Sequence, residues 1–311
     1  MARSPPAARF RLRLRSVHPE YAALLEEVRA FFEPHEDKPE ETPEAVARSL
    51  WMCAAGRPAS IAAANGHALP ELAPGERACL RRLVEEKRAG KPLAHLTGRQ
   101  HFMGLELLAG PQALIPRRET EILGRAALAF LRALPDASLL AVDVCTGSGN
   151  LALALARHEP RVRVVSADLS PEAIRLAERN AAFTGLRGRV EFHVGDLFAP
   201  LERLGLEGSA ALICCNPPYI TSAKVPRLGE EISAHEPHLA FDGGAMGLSI
   251  LRRLFLEAPA YLRPGGALCV EIGLGQGPAL QARLARRPWV ERVQAHCDVR
   301  GAIRALSIIR R

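Results

Sequence analysis

At 311 residues, with 48% apolar and 24% charged side chains, the chain can bury a large core and reads as a globular protein of one large or two ordinary domains. Its formal charge of +7 suits an acidic or nucleic-acid-associated partner without requiring one. No apolar run approaches the roughly 18 residues of a membrane span, and no apolar stretch with a small-residue cleavage site opens the chain, so a cytoplasmic setting without membrane contact is expected. The seven cysteines are odd in number and lack a CxxC pair or a His-rich tract, which reads as reduced thiols with no metal site.

Residues 1–18 form a basic arm. Arg3, Arg9, Arg11, Arg13 and Arg15 come without an acid through residue 15, and a disordered tail, a nucleic-acid contact and an organellar presequence are all open readings. From 19 to 90 apolar residues recur at helical spacing (Tyr21, Leu24, Leu25, Val28; Val46, Leu50, Trp51; Leu80, Leu83, Val84). Prolines and glycines break the region into short helices, which predicts a small all-α domain. From 91 to 117 the glycine-punctuated "PLAHLTG" and "HFMGLELLAG" alternate in the manner of strands and predict a hairpin-like connector.

Residues 118–311 alternate strand and helix. "LLAVDV" (139–144), "VRVVSADLS", "RVEFHVGD", "ALICC" and "GALCVEIG" are apolar strands; helices are expected over "NLALALARH", from Ser170 to about Gly185, and from about Leu248 to Leu262. Strands separated by helices predict a parallel, doubly wound Rossmann-like α/β sheet. "VERVQAHCD" and "AIRALSIIR", joined by a Val-Arg-Gly turn, predict an antiparallel strand near the C-terminus.

The first site signal is "VDVCTGSGN". A strand delivers Asp143, and Thr146, Gly147, Ser148 and Gly149 turn into a helix whose first backbone N–H groups can face a ligand. The same residues also satisfy the G-x-G-x-x-A dinucleotide fingerprint. Asp168 ends the next strand, where an acid accepts the ribose hydroxyls of either a nicotinamide dinucleotide or S-adenosylmethionine. Asp196 follows the third strand as an acceptor for an adenine amino group, with Leu197 placed to cover the ring.

The fourth strand separates these cofactors, because it stops at Asn216-Pro217-Pro218-Tyr219. Two prolines fix φ and supply no N–H, which leaves the carbonyls of Asn216 and Pro217 free to aim outward; Asn216 adds a side-chain acceptor and Tyr219 an aromatic face. Acceptors beside an aromatic suit a planar NH₂. Amide and nucleobase nitrogens are poor nucleophiles because the lone pair is delocalised, and two acceptors gripping the N–H bonds oppose that delocalisation. Hydride transfer has no use for such a clamp.

Taken with "DVCTGSGN", Asp168, "PLAHLTGRQHFMGLELLAGPQALIPRRETE" and "HEPHLAFDGGAMGLSI", the "NPPY" motif resembles the HemK/PrmC protein-(glutamine-N5) methyltransferases over roughly Lys91 to Arg311. The resemblance implies a class I methyltransferase sheet that passes methyl from S-adenosylmethionine to a glutamine side-chain amide in a translation protein. The implied substrate is the Gly-Gly-Gln loop of peptide-chain release factors, or in one branch a large-subunit ribosomal protein; Pro116-Arg117 and Thr120-Glu121 favour the first. It further implies that Cys145, Thr146, Gly147, Ser148 and Gly149 hold the methionine end, Asp168 the ribose, and Asp196 and Leu197 the adenine. Asn216, Pro217, Pro218 and Tyr219 are then the glutamine clamp, with Asn216 also beside the cofactor. Cys145 departs from the glycine usual in relatives.

His235 and Glu236 are the nearby candidates for a base and are read as structural; Glu271, Asp298, Arg300 and Arg304 are read as caps and salt bridges. The rival function is nucleic-acid adenine-N6 methylation, which needs the same clamp and a flipped base. The mixed charge of "TSAKVPRLGEEISAHEPH" and the scarcity of aromatics speak against it, and no stable nucleic-acid binding is expected. A scaffold that has lost activity is a further rival, with Cys145 its one supporting feature.

Overall fold

The computed structural model describes residues 19–35, 37–220, 235–241 and 247–311. The basic arm, most of the segment between the NPPY motif and Glu236, and the "DGGAM" part of the family motif lie outside the described residues.

The N-terminal region carries α1 (Pro19–Phe31), α2 (Pro43–Ala54), α3 (Ile61–Ala64) and α4 (Pro74–Arg88). Thr42 and Ser60 cap α2 and α3 with their side-chain oxygens. Tyr21, Leu24, Val28, Leu50, Trp51 and Leu83 close a core of their own. Leu93–Thr97 is helical (α5), not extended as its alternation suggests. Pro92 opens it, the Thr97 hydroxyl donates to the Leu93 carbonyl, and Gly98 ends it at φ +64°. Then β1 (Arg99–Phe102) and β2 (Leu105–Leu108) form an antiparallel hairpin.

Beyond the hairpin come α6 (Thr120–Ala133), β3 (Leu139–Val144), α7 (Asn150–His158), β4 (Val162–Asp168), α8 (Pro171–Phe183), β5 (Val190–Val194), α9 (Ala199–Arg203), β6 (Ala210–Cys215), α10 (Ser249–Tyr261), β7 (Leu262–Glu271), α11 (Gly277–Leu284), β8 (Val290–Cys297) and β9 (Ile303–Arg310). The seven strands lie in the order β5-β4-β3-β6-β7-β9-β8; β9 runs against both neighbours, and the other pairings are parallel. The inner strands read as largely apolar runs because both faces are covered, whereas the edge strands β5 and β8 carry exposed polar residues. Leu139, Ala141, Leu212 and Cys214 pack with α6 and α7, while Val142, Val144, Ile213 and Cys215 pack with α9, α10 and α11.

Strand order reverses between β3 and β6, so a crevice opens at their carboxyl ends. Register then sets what faces it. Ala167 pairs with Val144, Val144 with Cys215, and Cys215 with Val270, so the next step along each strand sets Asp168, Cys145, Asn216 and Glu271 in one row along the sheet edge.

Candidate functional site

A cavity of about 230 Å³ opens over this row. Among its lining residues are Cys145 to Ser148, Asp168, Asp196, Leu197, Asn216 and Pro218, with Thr120 from the start of α6 and Leu239 opposite. Residues from the ends of four strands thus converge with the first turn of α6. Gly149 lies beneath the turn, where it lets α7 approach α8 and β5: at φ +80° its ideal Cβ would sit 3.0 Å from Ala177 and 3.2 Å from Phe192. Pro217 is buried, and neither it nor Tyr219 lines the cavity.

The turn is held from below. Gly147 donates its N–H to Asp168 Oδ2 at 2.8 Å, and Ser170 donates to Oδ1 at 2.9 Å, so each carboxylate oxygen keeps lone pairs for a ligand hydroxyl. Burial raises the Asp168 pKa, against the pull of these N–H groups. Asp143 is buried under the turn and accepts the Thr146 hydroxyl at 2.5 Å; burial pushes its carboxyl up to about 7. Cys145 sits at φ +59°, the left-handed region where glycine costs nothing and a Cβ is strained. Leu197, at φ +45°, is a second such residue on the same cavity wall.

Asp196 is exposed at the rim, and Arg253 of α10 reaches both its oxygens, at 3.0 and 2.9 Å. Both oxygens of that carboxylate are thus already engaged by a guanidinium. Asn216 donates from Nδ2 to the Thr120 hydroxyl at 3.1 Å, which leaves its Oδ1 as the end of the amide unengaged among the described residues. Tyr219 points its hydroxyl down to Glu271 Oε1 at 2.9 Å; burial, and then that carboxylate, raise the tyrosine pKa well above its usual value. Glu271 is itself buried, and desolvation raises its pKa against the hydroxyls of Thr120 and Tyr219 and the charge of Arg304. Glu236 is a strut: it accepts the Ile115 N–H at 2.9 Å and pairs with Arg117, which also reaches Asp37 at 3.5 Å. Asp298 caps the β8–β9 turn through the N–H groups of Arg300 and Ala302.

Two residues of this architecture meet partners far away in the sequence. Thr120 meets Asn216 across 96 residues. Asn180, fully buried on α8, accepts the Leu108 N–H at 2.7 Å and donates to the carbonyls of Leu108 (3.2 Å) and Ser148 (3.0 Å), tying the hairpin to the glycine turn. An asparagine on the apolar face of an amphipathic helix was the available hint.

Comparison with known proteins places the chain among methyltransferases. The methyltransferase small domain family model matches residues 121–250. Proteins named release factor glutamine methyltransferase align over most of the chain. The one from Moorella thermoacetica is 42% identical over 74% of this chain and 78% of its own length, and that from Deinococcus radiodurans is 42% identical over 68% and 72%. That from Geobacter sulfurreducens is 40% identical over 69% and 72%. The crystal structure of the hMettl16 catalytic domain in complex with MAT2A 3′UTR hairpin 6 shares the fold at a TM-score of 0.52, with 14% identity, over 71% of this chain and 81% of that one. At that identity the likeness speaks for the sheet and its helices alone. The glycine turn and the NPPY strand end, set at the switch point of a seven-stranded sheet and matched at this identity over this span, make the chain a methyltransferase that belongs to the release factor glutamine methyltransferase family.

Proposed function

We propose that this enzyme transfers methyl from S-adenosylmethionine to the side-chain amide nitrogen (N5) of the glutamine in the Gly-Gly-Gln motif of a peptide-chain release factor, in the cytoplasm. The observation that carries the reading is the orientation of Asn216: its Nδ2 is committed to Thr120, so its oxygen is the end left to accept from an NH₂ at the cavity.

The pocket fits the cofactor. Asp168 retains acceptor capacity toward a ribose diol, Leu197 offers an apolar wall to an adenine, and the open turn from Thr146 to Gly149 leaves room for the amino-acid end. When bound, the cofactor supplies an electrophilic methyl group on a sulfonium centre. The clamp residues do the rest. Asn216 Oδ1 accepts an N–H bond of the glutamine amide and stabilises the positive charge that grows on its nitrogen; the Pro217 carbonyl can take the second N–H only if the amide reaches beyond the cavity wall, which Pro217 does not line. Holding nucleophile and methyl group in line accounts for roughly 7–11 kcal/mol of the barrier. No strong base is required, since the amide proton becomes acidic once the nitrogen is alkylated and leaves to water.

The division of labour belongs to the same proposal. Residues 118–311 carry the chemistry, residues 91–117 connect, and the helical region 19–90 docks the protein around the target loop. Tyr219 enters this reading as a support beneath the clamp, since its hydroxyl is spent on Glu271. The test offers purified release factor, ribosomal large subunits and duplex DNA separately with labelled cofactor. Label on the Gly-Gly-Gln glutamine supports the reading; label on a ribosomal protein or on adenine transfers the clamp to another substrate.

A further inference from the structure

One wall of the cavity is a short segment, Glu236 to Phe241, that is pinned at both ends; its Pro237, Leu239 and Ala240 line the cavity. At its start the Glu236 carboxylate, on a fully buried side chain, accepts the Ile115 N–H at 2.9 Å with one oxygen and the Arg117 guanidinium with the other. At its end the Phe241 carbonyl accepts the Ile220 N–H at 3.0 Å, and Phe241 is buried. Between the pins the Ala240 N–H donates to the Pro237 carbonyl at 2.9 Å, closing a tight turn that leaves Leu239 54% exposed at the cavity. We propose that Glu236 is a positioning residue of the reaction: it sets this wall so that Leu239 covers the protein chain beside the target glutamine. The proposal rests on the function given above.

Both pins belong to the clamp end of the crevice. Ile220 follows Tyr219 directly, and the Arg117 carbonyl accepts the N–H of Thr120, the partner of Asn216, at 3.2 Å. The ribose end is held by other bonds, those of Asp168 to Gly147 and Ser170. A wall fastened at these places therefore answers to the bound amide rather than to the cofactor. Its apolar side chain, held out at the mouth, gains by being covered when a protein chain enters. A carboxylate at 236 accepts from both of its donors, whereas a glutamine of the same shape turns an NH₂ toward one of them. One bond of the first pin then fails, and the wall loosens while the glycine turn and Asn216 keep their own partners.

The test measures release-factor methylation by Glu236→Gln, Leu239→Ala and the double variant in the full chain. In each single variant the KM for the release factor rises roughly 10-fold, the weight of one buried hydrogen bond or of one leucine contact. The kcat and the calorimetric Kd for S-adenosylmethionine stay within about threefold of the wild type. Because both changes act through one wall, the KM of the double variant exceeds the larger single value by no more than about threefold. A wild-type KM in either single variant overturns the proposal, as does a loss confined to kcat, a matching loss of cofactor affinity, or single effects that multiply in the double variant. A second arm needs no substrate. The Ile220 N–H, at the far pin, exchanges with deuterium at least about 10-fold faster in Glu236→Gln than in the wild type. Equal exchange overturns the role of Glu236 in setting the wall. If the wild type labels no glutamine, the functional reading fails and the exchange arm still judges the wall.

Discussion

Cys145 stands at φ +59° where the chain passes from β3 into the glycine turn. A left-handed backbone costs a residue with a Cβ about 1–2 kcal/mol. The turn survives because the neighbouring N–H of Gly147 is pinned to Asp168 and the thiol packs against the apolar layer below. Cys145→Gly is therefore expected to stabilise the fold by about 1 kcal/mol, the relief of strain exceeding the added freedom of the unfolded chain. A urea midpoint at or below the parent's would contradict this. Asp143 gives a second residue-scale prediction. Folded, it keeps its proton up to about pH 7, whereas the ordinary value is 3.8. The native state thus binds the extra proton between these values, and the stability contributed by this proton declines as pH rises through that window and is gone above it. Asp143→Asn removes the dependence, so its stability relative to the parent should improve from pH 4 to 7 by on the order of 3 kcal/mol, at about 1.4 kcal/mol per unit. Parallel stability curves would refute the assignment.

Elements meet through buried polar joints. Asn180 is the joint between α8, β2 and the turn before α7. Asn180→Ala leaves the Leu108 N–H and the Ser148 carbonyl without their partner inside the protein, an expected loss of about 2–3 kcal/mol, with weaker cofactor binding in calorimetry because the turn loses its tether. Unaltered stability would mean that water replaces the amide. Gly149→Ala is expected to cost about 1–3 kcal/mol by thermal unfolding, since the new Cβ meets Ala177 and Phe192 at a positive φ; a neutral result would require α7 to shift outward. The inner strands of the sheet were legible in the sequence because they are largely apolar runs, and doubly wound burial produces that texture. The row Asp168, Cys145, Asn216 was legible for the same reason, as each residue ends such a run. Leu93–Thr97 was not. Five residues give no helical period, and its helix is decided by Gly98 and by packing. Nor were Thr120 and Asn180, whose partners lie 96 and 72 residues away and are brought near by topology.

At the scale of the whole molecule, the helical region is fastened to the catalytic sheet rather than tethered beside it. Glu106 of β2 accepts both the N–H and the hydroxyl of Ser60, and Arg117 joins Asp37 to Glu236 across the connector. Under the proposed docking on the helices, these joints set the distance from the bound substrate to Asn216. The proposed function requires that this cavity methylate a protein glutamine through the Asn216 clamp. The measurement that tests it most directly is transfer of label from S-adenosylmethionine to purified release factor by wild-type enzyme and by Asn216→Ala, with the modified residue located by mass spectrometry. One methyl group on the Gly-Gly-Gln glutamine, with a rate at least about 100-fold lower in the variant and cofactor binding retained, is the predicted result. Equal labelling by the variant, or label on another residue, would contradict it.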